Sequence, residues 1–147
     1  MTMNTRVAAA IALLSLSGCA TFQYGAPYTP VQPVTDKATV VVYRAKAAFL
    51  APASKAPLPF EVDGVAYAAL NPDSYRTLTL EPGDRLFNAR TGVIDLRRRA
   101  NLVAGTVQFI RASCYYVLTE AFCKLEPVET ALGQSEVAGL RESAGQQ

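Results

Sequence analysis

Asp63-Gly64 is the pair in this sequence that most restricts the fold. It lies in the middle of "LPFEVDGVAYAAL", residues 58 to 70. Asp-Gly is a favoured pair for a two-residue type I′ turn, because both central positions need positive φ. Such a turn pairs Val62 with Val65 and Phe60 with Tyr67. Those four then share one face, with Glu61 opposite Ala66 on the other. One dipeptide thus predicts a hairpin, its register and its buried face.

The neighbouring segments read the same way. "ATVVVYR", residues 38 to 44, is β-branched and aromatic, as a strand prefers. Residues 45 to 57 are Ala- and Pro-rich and read as a loop. "NPDSY", residues 71 to 75, reads as a turn. "RTLTLEPGDRLFNAR" reads as a second hairpin, with Pro82-Gly83 at the centre of a type II turn and a return strand from Arg85 to Arg90. Further on, the pattern is weaker: a short strand, a loop at Arg97-Arg98-Arg99 and a strand from about Val103 to Ile110. "ASCYYVLTEAFCKLEPV" reads as two strands, and a tight turn at Leu118-Thr119 would set Cys114 opposite Cys123. Neither turn residue favours a primed turn, so a slipped register and an unformed bridge stay open. Residues 129 to 143 read as a short helix with a loose apolar face of Val128, Leu132, Val137 and Leu140. Gly133 and Gly139 weaken it by about 1 kcal/mol each. Several short strands with Gly/Pro turns and no alternating helices predict an all-β fold, mainly an antiparallel β-sandwich, with a short C-terminal helix.

The N-terminus describes a destination. Arg6 is followed by an apolar run, Val7 to Leu16, and then by small residues ending in Cys19. That is the layout of a secretory signal peptide, and the run is shorter than the roughly 20 residues a membrane span needs. Leu16-Ser17-Gly18-Cys19 resembles a bacterial lipobox, in which the cysteine thiol takes a diacylglycerol and the chain is cut just before it. The alternative is an ordinary signal peptide cut elsewhere. On the lipobox reading residues 1–18 are removed and several acyl chains, at about 0.8 kcal/mol per buried CH2, hold the protein on a membrane. Ala20 rather than Asp after the cysteine resembles the outer-membrane sorting pattern of two-membrane bacteria, which faces the domain to the periplasm.

Removing residues 1–18 of the 147 leaves 129, one domain plus a tether. Arg6 is the only charged residue lost, so 13 basic residues face 12 acidic ones. This balance does not point to nucleic acid. Of three cysteines, lipidation of Cys19 leaves Cys114 and Cys123 as a candidate disulfide in an exported protein; two free or buried thiols are the alternative. Residues 19–36 carry Pro27, Pro30 and Pro33, a spacing of three that suits polyproline II. They read as a semi-rigid spacer reaching on the order of 50 Å, or else as a ligand for a proline-reading domain. The sandwich is then expected over residues 37–143, with 144–147 as a tail.

The order "VVVYR", Pro/Ala-rich loop, "FEVDG", "SYRTLTLEPGD", "CYYVL" and "LEPVETAL" resembles the bacterial lipoprotein domain called domain of unknown function 2846, over about residues 38 to 142. The resemblance implies a small β-sandwich behind a lipobox; it implies fold and place rather than activity. The chain departs from it near the end, where "TEAFCK" stands in place of a glycine-rich segment.

Chemistry is sparse. There is no histidine, which excludes Ser-His-Asp and Cys-His catalysis and the commonest metal ligand. No G-x-S-x-G, P-loop or G-x-G-x-x-G occurs. Glu61 and Asp63 could in principle act as a glycosidase pair, but a solvated hairpin edge accounts for them. Arg97, Arg98 and Arg99 could bind an anionic envelope polymer or lipid headgroup, since Arg matches phosphate bidentately; a charged strand edge that blocks pairing is the plainer account. The expectation is therefore a non-enzymatic, lipid-anchored binding or structural module without cofactor or metal. Its partners would be membrane lipid and an envelope protein or polymer. An accessory subunit of an envelope transport or secretion complex is one rival, and a cell-wall hydrolase another.

Overall fold

Ala38–Arg44 (β2) explains the architecture, because all seven of its residues are buried. A strand buried on both faces must lie inside a sheet that is itself covered on both sides. The computed structural model describes residues 22–45, 56–91, 94–118 and 120–144. In chain order the elements around β2 are Tyr24–Pro27 (β1), Leu58–Val62 (β3), Val65–Leu70 (β4), Ser74–Leu80 (β5) and Gly83–Thr91 (β6). Ile94–Leu102 (β7), Val107–Val117 (β8), Glu120–Val128 (β9), the helix Thr130–Val137 (α1) and Arg141–Ser143 (β10) follow.

The strands form two sheets, one ordered β1-β10-β5-β2-β8-β9 and one ordered β4-β3-β6-β7. This is the expected mainly antiparallel sandwich, with two parallel pairs, β2–β8 and β10–β5. The core between the sheets holds Val40, Val42, Ile110 and Leu125 from the larger sheet. Leu58, Phe60, Phe87 and Leu102 meet them from the smaller one. Each such side chain contributes about 1.5–3 kcal/mol on full burial, which outweighs any single polar contact described below. A second apolar cluster covers the outer face of the larger sheet: Val41, Tyr43, Tyr75 and Phe109 pack against Val137 and Leu140, with Tyr28 and Val31 alongside.

The Asp63-Gly64 hairpin has the predicted register. Val62 lies opposite Val65, Phe60 opposite Tyr67 and Glu61 opposite Ala66, with φ +50° and +80° at the two turn residues. The Phe60 and Tyr67 rings stack at 5.6 Å.

Four expectations are corrected. In the segment 19–36, expected to be a semi-rigid spacer, the described residues 22–36 are seated on the domain instead: β1 pairs with β10 and Tyr28 N–H donates to Leu140 O at 2.9 Å. Pro82-Gly83 does bend the chain, with Gly83 at φ +106°, but it carries it from one sheet to the other: β5 pairs with β2 and β10, and β6 with β3 and β7. Arg97-Arg98-Arg99 is not a loop but the middle of β7. The helix ends at Val137 and the chain then enters β10, where a helix was expected to 143; Leu132, assigned to its apolar face, is 43% exposed while Gly133 is buried. Most of the Ala- and Pro-rich stretch, residues 46–55, lies outside the described residues, as do Cys19 and the signal segment.

Candidate functional site

A cleft of about 400 Å³ opens between the sheets where the β3–β4 turn meets the start of β2 and the end of β5. Its apolar floor is Val62, Val65, Tyr67 and Leu80. Two ion pairs form its rim: Lys37 with Glu81, and Arg85 with Asp63 at 3.0 Å. The turn positions Asp63 tightly. Its N–H donates to Leu86 O at 2.9 Å and its Oδ1 accepts from Leu86 N–H at 2.8 Å. The Leu86 N–H, with the Arg85 guanidinium, holds the Asp63 carboxyl below the usual carboxylate range. The bond to Glu81 raises the Lys37 ammonium above its ordinary value. The cleft therefore offers an apolar surface made by four side chains, edged by two cations and two anions. It can hold a ligand with an apolar body and both signs of charge, such as an extended peptide.

The second polar cluster joins α1 to the larger sheet. Tyr43 O–H donates to Glu136 Oε2. Arg111 donates to Glu136 Oε1 at 3.0 Å and to Glu126 Oε1 at 2.8 Å, and Lys124 pairs with Glu126 Oε2 at 2.8 Å. Burial, reinforced by the bond to Glu136, pushes the Tyr43 phenol well above its ordinary range. Lys124 and Arg111 hold Glu126 below the usual carboxylate range. Two carboxylates share one guanidinium here, so each already serves as an acceptor for fixed donors. That is the geometry of a clamp between helix and sheet rather than of a free general acid and base.

Cys114 and Cys123 are directly opposite on β8 and β9 and form a disulfide, with Cα atoms 4.0 Å apart. Leu118 takes φ +56° to make the turn that holds this register. Tyr115 and Phe122 stack on the next rung at 5.9 Å.

The three arginines do not form one patch. Arg97 and Arg99 lie on the outer face of β7, opposite Asn88 and Leu86, whereas Arg98 lies opposite Phe87 on the face that carries Ala100 and Leu102. Among the described residues β7 is the last strand of its sheet and all three arginines are exposed; charges along an edge strand discourage pairing with another chain. Glu61 and Asp63 are likewise separated: Glu61 Oε1 accepts from Asn88 Nδ2 at 3.0 Å, while Asp63 turns to Arg85 and Leu86. The cleft rim and the Tyr43–Glu136–Arg111–Glu126 cluster were not anticipated from sequence. Their members are up to 93 residues apart in the chain, and no local spacing signals them. Among the described residues no three His, Cys, Asp or Glu side chains converge as metal ligands, and no helix is long and apolar enough to cross a membrane.

No family model, no curated protein and no solved structure matches this chain.

Proposed function

We propose that the protein is a lipid-anchored cell-envelope lipoprotein whose β-sandwich is a non-enzymatic binding or structural module. The observation that carries this is Leu16-Ser17-Gly18-Cys19 at the end of an apolar run of lipoprotein-signal length. A disulfide at Cys114–Cys123 favours the same compartment, because such bonds persist outside the reducing cytosol. The motif order that resembles domain of unknown function 2846 favours it too. Ala20 after the cysteine favours the outer membrane facing the periplasm as the site.

The binding role rests on the cleft between Lys37, Asp63, Glu81 and Arg85. Its polar groups are ion-paired at the rim and its floor is apolar, which suits recognition of a peptide-like envelope partner better than bond cleavage. A hydrolase is disfavoured because Glu126 and Glu136, which Arg111 brings together, are both already bonded to it.

Metabolic labelling with a palmitate analogue tests the anchor. The wild-type chain is expected to take up label and to partition with membranes, and Cys19→Ala to lose both. Equal labelling of wild type and Cys19→Ala would refute the anchor.

A further inference from the structure

The chain joins the sandwich almost at once after the proposed anchor cysteine. Gln23 O accepts from Ala144 N–H at 3.1 Å and from Asn71 Nδ2 at 3.0 Å. Tyr24 and Pro27 then pair with Ser143 and Arg141 in β10, and Tyr24 O–H donates to Pro72 O at 2.9 Å. From Cys19 to Gln23 there are only four peptide steps, which span at most about 14 Å even when fully extended. The polar zone of one leaflet is itself about 5–7 Å deep. An acyl group on Cys19 must reach through that zone, so Gln23 can stand no more than roughly 10 Å clear of it.

We infer that the β1–β10 edge of the larger sheet, with the adjoining Pro72-Asp73 turn, rests on the headgroups of the bilayer that holds the acyl chains, and that the cleft faces away from that bilayer. The inference rests on the anchor reading above and adds an orientation to it. The register supplies the direction. β10 lies beside the start of β5, with Arg141 opposite Ser74, whereas the cleft is lined by Thr79, Leu80 and Glu81 at the other end of β5. Six residues of strand separate the two ends by about 20 Å. The opposite edge of the sheet, β9, is five strand spacings from β1, about 24 Å.

The surface at this edge agrees with contact imposed by the tether. Ala26, Pro27, Asp73, Arg141 and Glu142 are exposed and carry little net charge, so electrostatic attraction to anionic lipid is not what holds it there. Among the described residues β1 is also the outermost strand of its sheet. Open edges invite strand addition, and a lipid surface against β1 would cover this one.

The test uses full-length acylated protein in phosphatidylcholine vesicles that contain a headgroup nitroxide lipid. With Cys19 acylated and Cys114 bridged to Cys123, a cysteine introduced by Ala26→Cys or Val65→Cys is the single free thiol for a fluorophore. Val65 is 59% exposed at the cleft end. The label at position 26 is expected to be quenched several-fold more than the label at 65. Equal quenching, or stronger quenching at 65, would overturn the orientation. Inserting about fifteen Gly/Ser residues between Thr21 and Phe22, a coil of roughly 20 Å, is expected to abolish the difference while the protein stays vesicle-bound. A difference that survived the insertion would also overturn it, because the short tether would then not be its cause. The N-terminal mass of the same sample reads acylation directly, so loss of the anchor is told apart from loss of orientation.

Discussion

A Cβ added to Gly133 would lie 2.3 Å from Cγ of Phe109 and 2.5 Å from its Cβ. The helix therefore touches the sheet through a glycine. Phe109 cannot yield, being 1% exposed and packed edge-on against Tyr43 at 6.5 Å. Helix propensity alone favours Gly133→Ala by about 1 kcal/mol. Overpacking of a tight contact costs about 1–3 kcal/mol, with the Cβ of Phe109 leaving no rotamer as an escape. Gly133→Ala is expected to be net destabilising in urea denaturation; a stabilised variant would show that α1 can lift from β8 without cost.

Leu118 gives the opposite sign. It holds φ +56° and is 97% exposed, so it carries left-handed strain of about 1–2 kcal/mol with almost no packing in return. Leu118→Gly is expected to raise stability by about 1 kcal/mol, read as a higher denaturation midpoint at unchanged slope.

The disulfide closes a short loop, nine positions apart in sequence. Loop-closure entropy for such a ring predicts a loss of about 2–3 kcal/mol in the double variant Cys114→Ala/Cys123→Ala. Wild type under reducing conditions should lose a similar amount; no loss in either would mean that β8–β9 pairing alone fixes the unfolded-state balance.

Asp63 titrates with a depressed folded-state value. Its contribution is therefore present above the unfolded carboxylate value of about 3.9 and is lost as pH falls through the folded one. Asp63→Asn keeps a turn-favouring Asn-Gly pair and an acceptor for Leu86 N–H, and removes the charge facing Arg85. A loss of about 0.5–1 kcal/mol is expected at pH 7, since the pair is partly exposed. The gap to wild type should close in acid; a gap independent of pH would place the effect in the turn.

Ser143 is 1% exposed. Its Oγ accepts from Asn71 N–H at 3.0 Å and donates to Ala69 O at 3.0 Å. Ser143→Ala strands a buried backbone donor, at about 1–3 kcal/mol, and should loosen β10. Hydrogen exchange should then accelerate at Tyr24 and Arg141 before it does in β2.

What was legible in the sequence was local. Asp63-Gly64 specifies its own turn, and so the Phe60–Tyr67 register; Leu118-Thr119 carries no such signal, so the sequence leaves the pairing of Cys114 with Cys123 open and the fold decides it. Pro82-Gly83 specifies a bend but not the neighbour of the strand that follows, so the sequence does not separate a hairpin from a crossing between sheets. A charge run such as Arg97-Arg98-Arg99 resembles a loop, yet an edge strand exposes enough of its length to carry three arginines. The prolines at 27, 30 and 33 hid the residues between them: the period of three that spaces them also spaces Tyr28 and Val31, which pack on the outer face. The cleft was illegible for a different reason. Lys37 and Glu81 are 44 residues apart, and Asp63 and Arg85 are 22 apart, so only the finished fold brings them together.

β10 lies between β1 and β5. The first described strand to be synthesised therefore has no described neighbour to join until the last one has followed it. The sandwich can assemble from β2 to β9 in order of emergence, while the segment nearest the N-terminus waits with its backbone bonded to water. Its seating is the closing step of folding, and a chain cut short before Arg141 would leave Tyr24–Pro27 without the strand it pairs with.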